Sequence, residues 1–138
     1  ITSPLPMGQV MSTILVAEDS FALANLLMFV LRNAGFEVDL HRTGASAYEA
    51  ARYRAYDLIL LDQQMPKMTG LEVIAALRNE SLHASTPIFL CTAKSHEIGI
   101  EQAQQRWNIA DVFHKPFSPK ALVQVLKSAV QPQSSEAR

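Results

Sequence analysis

A single cysteine, Cys91, is all the thiol the 138 residues offer, so no disulfide can close within the chain. It lies in an apolar run, the setting of a buried, inert thiol, and so little cysteine fits a reducing, cytoplasmic compartment. Long hydrophobic runs are also missing. None nears the about 18 residues that mark a membrane-spanning helix. The first residues lack the basic segment, apolar stretch and small-residue cleavage site of a secretory leader. Charge of one sign is scarce too: Lys plus Arg number 12, Asp plus Glu 13, and the formal net charge is −1. That balance excludes the basic surface of a nucleic-acid binder and a solvating acidic tail. No internal repeat is visible. What is there is a chain with 49% hydrophobic residues, enough for one globular domain with a proper core.

The stretch that organises the chain runs from Asp57 to Gly70. Asp57–Leu61 reads as a short, nearly continuous apolar strand of the kind buried on both faces. It ends on Asp62, and Pro66 and Gly70 mark a loop before the next helical run. Before it, residues 1–12 carry prolines and no periodicity and are set aside as a disordered leader or an expression scar. Thr13–Ala17 is an apolar strand ending on Glu18, Asp19 and Ser20. Leu23, Leu26, Leu27, Val30, Leu31 and Ala34 then follow at helical spacing, with Asp19 or Ser20 as N-cap and Gly35 as terminator. Phe36–Leu40 alternates as a second strand and leads to a helix over Ala45–Arg54. After Gly70 come a helix at Leu71–Arg78 and a strand at Pro87–Cys91, which ends at Thr92. A thinly apolar helix is expected over Ser95–Arg106, the element least firmly held by its own sequence. Then come a strand at Ala110–His114, the turn Lys115–Phe117 and an amphipathic helix over Ser118–Val130. Residues 131–138 are polar and expected to be a tail.

Five strand–helix units in succession predict a parallel sheet with helices on both faces. In such a sheet ligands bind outside the carboxyl ends of the strands. Glu18 and Asp19 end strand one, Asp62 strand three, Thr92 strand four and Lys115 strand five, so all are expected on one rim. Each has a dull explanation by itself: Asp19 and Thr92 as helix caps, Lys115 as a solvated charge. Their coincidence on one edge favours chemistry. Clustered carboxylates invite a hard divalent cation such as Mg²⁺. Beside it, the central carboxylate, Asp62, can act as nucleophile toward phosphorus, with Lys115 offsetting charge and Thr92 donating a hydrogen bond.

These residues carry a resemblance. The acid pair Glu18–Asp19, Asp62 with Met65, Pro66 and Gly70 behind it, Thr92–Ala93 and Lys115–Pro116–Phe117 resemble the receiver domains of two-component response regulators, the CheY-like family, over about 13–130. The resemblance implies a doubly wound (βα)5, flavodoxin-like sandwich with strand order 2-1-3-4-5. It implies that Asp62 is the phosphoacceptor, charged from a phosphohistidine of a sensor histidine kinase or phosphotransfer protein. Asp19, Asp62 and the main-chain carbonyl of Gln64 would hold Mg²⁺, with Glu18 acting through water, and the peptide before Pro116 would be cis. Gln64 and Lys94 stand where residues tune phosphate lifetime. Partner surfaces would lie at about 95–130, in a monomer or weak phosphorylation-dependent dimer.

One departure concerns the switch aromatic, whose usual place three residues before the lysine is taken by Val112. Phe113 has the opposite strand parity and should face the other way. A switch of smaller amplitude, or one read through the Ser95–Arg106 segment, is therefore expected. His114 reads as a plain strand-edge histidine and Trp107 as a helix-end anchor. The rival reading is a haloacid-dehalogenase-type phosphohydrolase, which also uses a strand-end Asp, a Thr, a Lys and Mg²⁺. It wants a second acid two residues after the nucleophile, where Gln64 stands, and its paired metal acids late in the chain.

Overall fold

A computed structural model describes residues 11–93 and 99–130. The expected leader and tail lie outside the described residues, apart from Met11 and Ser12, and so do Lys94 and the start of the Ser95–Arg106 segment. The elements are β1 (Thr13–Ala17), α1 (Phe21–Asn33), β2 (Glu37–His41), α2 (Gly44–Tyr53), β3 (Leu58–Asp62), α3 (Gly70–Arg78), β4 (Ile88–Thr92), α4 (Ile100–Arg106), β5 (Asp111–His114) and α5 (Pro119–Val130). The five strands form one parallel sheet in the order β2-β1-β3-β4-β5. This is the expected doubly wound architecture.

Period-two alternation along the strands divides the core into two layers. Leu15, Ala17, Ile59, Leu61, Ile88 and Leu90 face α2, α3 and α4, which answer with Ala47, Ala51, Val73, Ile74, Leu77 and Ile100. Ile14, Val16, Leu58, Leu60, Phe89 and Cys91 face α1 and α5, where Leu27, Leu31, Leu122 and Leu126 close the layer. The central strand β3 is buried at all of its residues, as its continuous apolar run requires.

Several boundaries shift by one residue, each for a local reason. Asp57 precedes β3 instead of opening it, because its carboxylate accepts from the Thr13 N–H at 2.8 Å and ties the starts of β1 and β3 together. Asp62 instead closes the strand. Ser20, not Asp19, caps α1 by accepting from the Leu23 N–H, and Gly35 ends that helix at φ 99°. Gly99, expected inside a helix, stands before α4 at φ 94°, a left-handed conformation that a helix interior does not accommodate. A short 3-10 turn at Ser81–His83, unmarked by any periodicity, bridges α3 and β4. Phe113 does face the α1/α5 layer, stacked at 5.9 Å on Phe89, while Val112 packs in the opposite layer.

Candidate functional site

Strand register builds the site. Ala17 is level with Leu61, so one step further along the sheet Glu18 comes beside Asp62. Asp62 is level with Cys91, which places Thr92 one residue beyond. Thr92 is level with His114, and Lys115 follows. Both Glu18 and Asp62 are almost wholly buried, at 1% and 2% exposed.

Lys115 enters this buried pair from the far side. Its ammonium lies 2.9 Å from Asp62 Oδ1 and donates a 3.2 Å hydrogen bond to Glu18 Oε1. The contact with Asp62 is a close ion pair between two largely buried groups. One oxygen each from Glu18, Asp19 and Asp62 lie within 4.8 Å of one another, with Asp19 exposed at the rim and the other two buried. An all-oxygen donor set of this size fits a hard divalent cation.

The environment shifts the titrating groups. Burial pushes the Asp62 carboxyl up to about 6; Lys115 pulls it back, and the Glu18 and Asp19 charges push the same way as burial. Burial disfavours the charged Lys115, but Asp62 and Glu18 outweigh it and hold the ammonium above its ordinary value. Cys91, behind the site, is pushed up to about 12 by burial, which keeps it a protonated, unreactive thiol.

Gln64 is placed across the mouth. Its side-chain Nε2 donates to Thr92 Oγ1 at 3.3 Å, and its Oε1 accepts from the Ala93 N–H at 3.2 Å. Thr92 is fully buried. The Lys115–Pro116 peptide is cis. His114 is exposed at the strand edge, and Trp107 ends α4, half-buried against the core. The predicted residues Glu18, Asp19, Asp62, Gln64, Thr92 and Lys115 are thus all brought to one rim. Lys94 falls outside the described residues.

Two residues were missed by sequence reasoning. Gln63 accepts from the Leu71 N–H through its side chain at 2.8 Å and from the Gly70 N–H through its main-chain oxygen, which fastens the start of α3 under the site. Arg42 donates to the main-chain oxygens of Glu18 and Asp19 at 3.1 and 2.7 Å. A signal for Arg42 existed: it directly follows β2, at the same rim as the acid pair.

Known proteins point the same way. The sequence profile described as response regulator receiver domain matches residues 14–127. The DNA-binding response regulator MtrA of Mycobacterium tuberculosis is 33% identical over 130 residues, covering 94% of this chain and 55% of that protein. The transcriptional regulatory protein SrrA of Staphylococcus aureus is 34% identical over 118 residues, covering 86% of this chain and 47% of that protein. The chain therefore spans about half the length of the curated relatives it matches. Among solved structures, the chemotaxis response regulator CheY4 of Vibrio cholerae superposes with a TM-score of 0.79 at 29% identity, covering 88% of this chain and all 100% of that one. The receiver domain of the sensor histidine kinase PA1611 of Pseudomonas aeruginosa, described with a magnesium ion coordinated in its active-site cleft, gives 0.77 at 25% identity, covering 86% and 97% of the two chains. These matches displace the phosphohydrolase reading. With its profile match running through all but the edges of the fold, this chain belongs to the response regulator receiver domain family of two-component, phosphorylation-dependent signalling.

Proposed function

We propose that residues 13–130 form a receiver unit in which Asp62 accepts a phosphoryl group, and that the state of Asp62 is the signal. The donor is a phosphohistidine of a sensor histidine kinase or phosphotransfer protein. A carboxylate oxygen of Asp62 attacks the phosphorus in line, the P–O bond forms as the P–N bond breaks, and the imidazole leaves and takes up a proton. The observation that carries this reading is the Lys115 ammonium, 2.9 Å from Asp62 and hydrogen-bonded to Glu18 within one buried acidic cluster. Lys115 offsets charge on the transferred oxygens, and the Thr92 hydroxyl, which accepts from Gln64 Nε2, donates to one of them.

Asp19, Asp62 and the main-chain carbonyl of Gln64 would hold Mg²⁺, with Glu18 acting through water. When bound, that ion screens the carboxylates from one another and neutralises charge on the phosphoryl group. Hydrolysis of the acyl phosphate resets the switch, with Gln64 at the mouth of the pocket, and no other substrate is turned over. The changed face comprises α4, β5 and α5 and meets a protein partner or output domain, with the chain a monomer or weak phosphorylation-dependent dimer. The near-even charge of the chain supports a protein partner rather than nucleic acid. Among the described residues no helix is long and apolar enough to cross a membrane, in keeping with a cytoplasmic site of action.

The test is incubation with a small phosphodonor and Mg²⁺, followed by intact mass. One added phosphoryl group, lost in Asp62→Asn and in chelator, is the expected result. Wild-type protein that gains no mass, or a variant that gains it equally, overturns the assignment.

A further inference from the structure

Arg42 stands at the end of β2, outside the cluster, yet it holds the backbone on which the acid pair is mounted. Its Nε donates to the Glu18 carbonyl at 3.1 Å and its Nη2 to the Asp19 carbonyl at 2.7 Å. The planar fork thus grips two successive peptide groups. The exposed Phe21 ring, 5.5 Å from the guanidinium carbon, supports it from the α1 side.

Peptide geometry converts this grip into aim. In a trans peptide the carbonyl and the next N–H point in opposite directions. Holding the Asp19 oxygen outward therefore turns the Ser20 N–H inward, where it donates to Glu18 Oε2 at 3.0 Å. The other oxygen of Glu18 accepts from Lys115, which meets Asp62. One run of contacts leads from Arg42 through the Asp19–Ser20 peptide and Glu18 to the ammonium on Asp62. The Glu18 N–H also donates to the His41 carbonyl at 3.0 Å, which fixes where the loop leaves the sheet but not the peptide beyond Asp19.

We propose that Arg42 is a positioning residue for the divalent-cation site: by clamping the Glu18 and Asp19 carbonyls it presets the direction of both carboxylates. The role rests on the reading of Asp19 and Asp62 as cation ligands, with Glu18 acting through water. Residues that orient ligands in this way commonly change metal affinity by about 10- to 100-fold when removed.

The test is Mn²⁺ binding to the full chain, followed by the electron paramagnetic resonance signal of the free ion, with Mg²⁺ as competitor. Arg42→Ala should weaken Mn²⁺ binding about 10-fold while the melting temperature of the metal-free chain stays near that of wild type. Arg42→Lys, which keeps the charge but loses the fork, should fall in between, and Lys127→Ala, which removes a remote charge, should bind as wild type. With a small phosphodonor, Arg42→Ala should need more Mg²⁺ for half-maximal labelling and reach the wild-type rate at saturation. Equal Mn²⁺ affinity in wild type and Arg42→Ala overturns the role, as does an equal loss in Lys127→Ala. If Arg42→Ala does not fold, Arg42→Lys decides, and wild-type affinity there overturns the role. The two readings separate cleanly: labelling of wild type at Asp62 with no effect of Arg42 sinks only the clamp, whereas a wild type that is never labelled sinks the phosphoacceptor reading.

Discussion

Asp62 is a carboxylate in a place that resists its charge. Burial is the main reason, the cation of Lys115 opposes it, and the net effect lifts the group from 3.8 to about 6. The folded chain therefore binds more protons than the unfolded one between those two values, and stability falls as pH rises through that window. In chelator, the metal-free protein should lose on the order of 2 to 3 kcal/mol between about pH 4 and 6 and then level off. Mg²⁺ should reverse the trend above pH 6 by favouring the carboxylate. Asp62→Asn, a neutral isostere, should melt higher than wild type at pH 7 without metal and show a flatter profile. Thermal melts across pH in chelator check this, and a wild type that gains stability through the window contradicts it.

At the scale of elements, the loop between β3 and α3 is held from both ends. Thr69 caps α3 in a reciprocal box, accepting from the Glu72 N–H while Glu72 accepts from the Thr69 N–H. Thr69→Ala should cost about 1 kcal/mol. The same loop is pinned from above by α2. The Gly44 N–H donates to the Pro66 carbonyl, and a Cβ on Gly44 would lie 2.0 Å from the Met68 carbonyl oxygen. No side chain fits without displacing the loop that follows Asp62. Gly44→Ala should therefore destabilise by about 1 to 3 kcal/mol or more, and also slow labelling of Asp62 per folded molecule. Thr69→Ala should leave labelling nearly intact. Denaturant titration alongside the mass assay separates the two, and unchanged stability in Gly44→Ala would refute the close approach.

Across the whole molecule, the two edges of the sheet do different work. The carboxyl edge concentrates charge that costs stability. The amino edge repays it with satisfied polar contacts. Arg78, at the end of α3, donates to the carbonyls of His83, Ala84, Thr86, Trp107 and Asn108, which lead into β4 and β5. Burial lowers its pKa, and the guanidinium, which has five N–H donors and no acceptor, donates to all five oxygens. His83 adds a contact between its Nε2 and the Arg54 carbonyl at 2.9 Å, ahead of β3. Arg78→Ala strands these carbonyls and should cost about 3 to 5 kcal/mol, with the labelling rate of the folded fraction unchanged. A large fall in that rate would mean that the edges are coupled.

The sequence by itself determined the five strand–helix units, the two-layer core and the identity of the groups on the carboxyl rim. It did so because apolar periodicity and strand-end position are properties of neighbouring residues. The opposite facing of Val112 and Phe113 was legible for the same reason: parity along one strand needs no partner. Strand ends were less legible, since Asp57 is drawn out of β3 by Thr13, a residue far away in the chain. Only the tertiary structure decided that Lys115 reaches both Glu18 and Asp62, that Gln64 clasps Thr92 and Ala93, and that Arg42 grips the acid pair. Those contacts join separate strand ends. They exist because β1 and β3 are neighbours in the sheet and β5 follows β4 at its edge, a long-range choice that local periodicity does not encode.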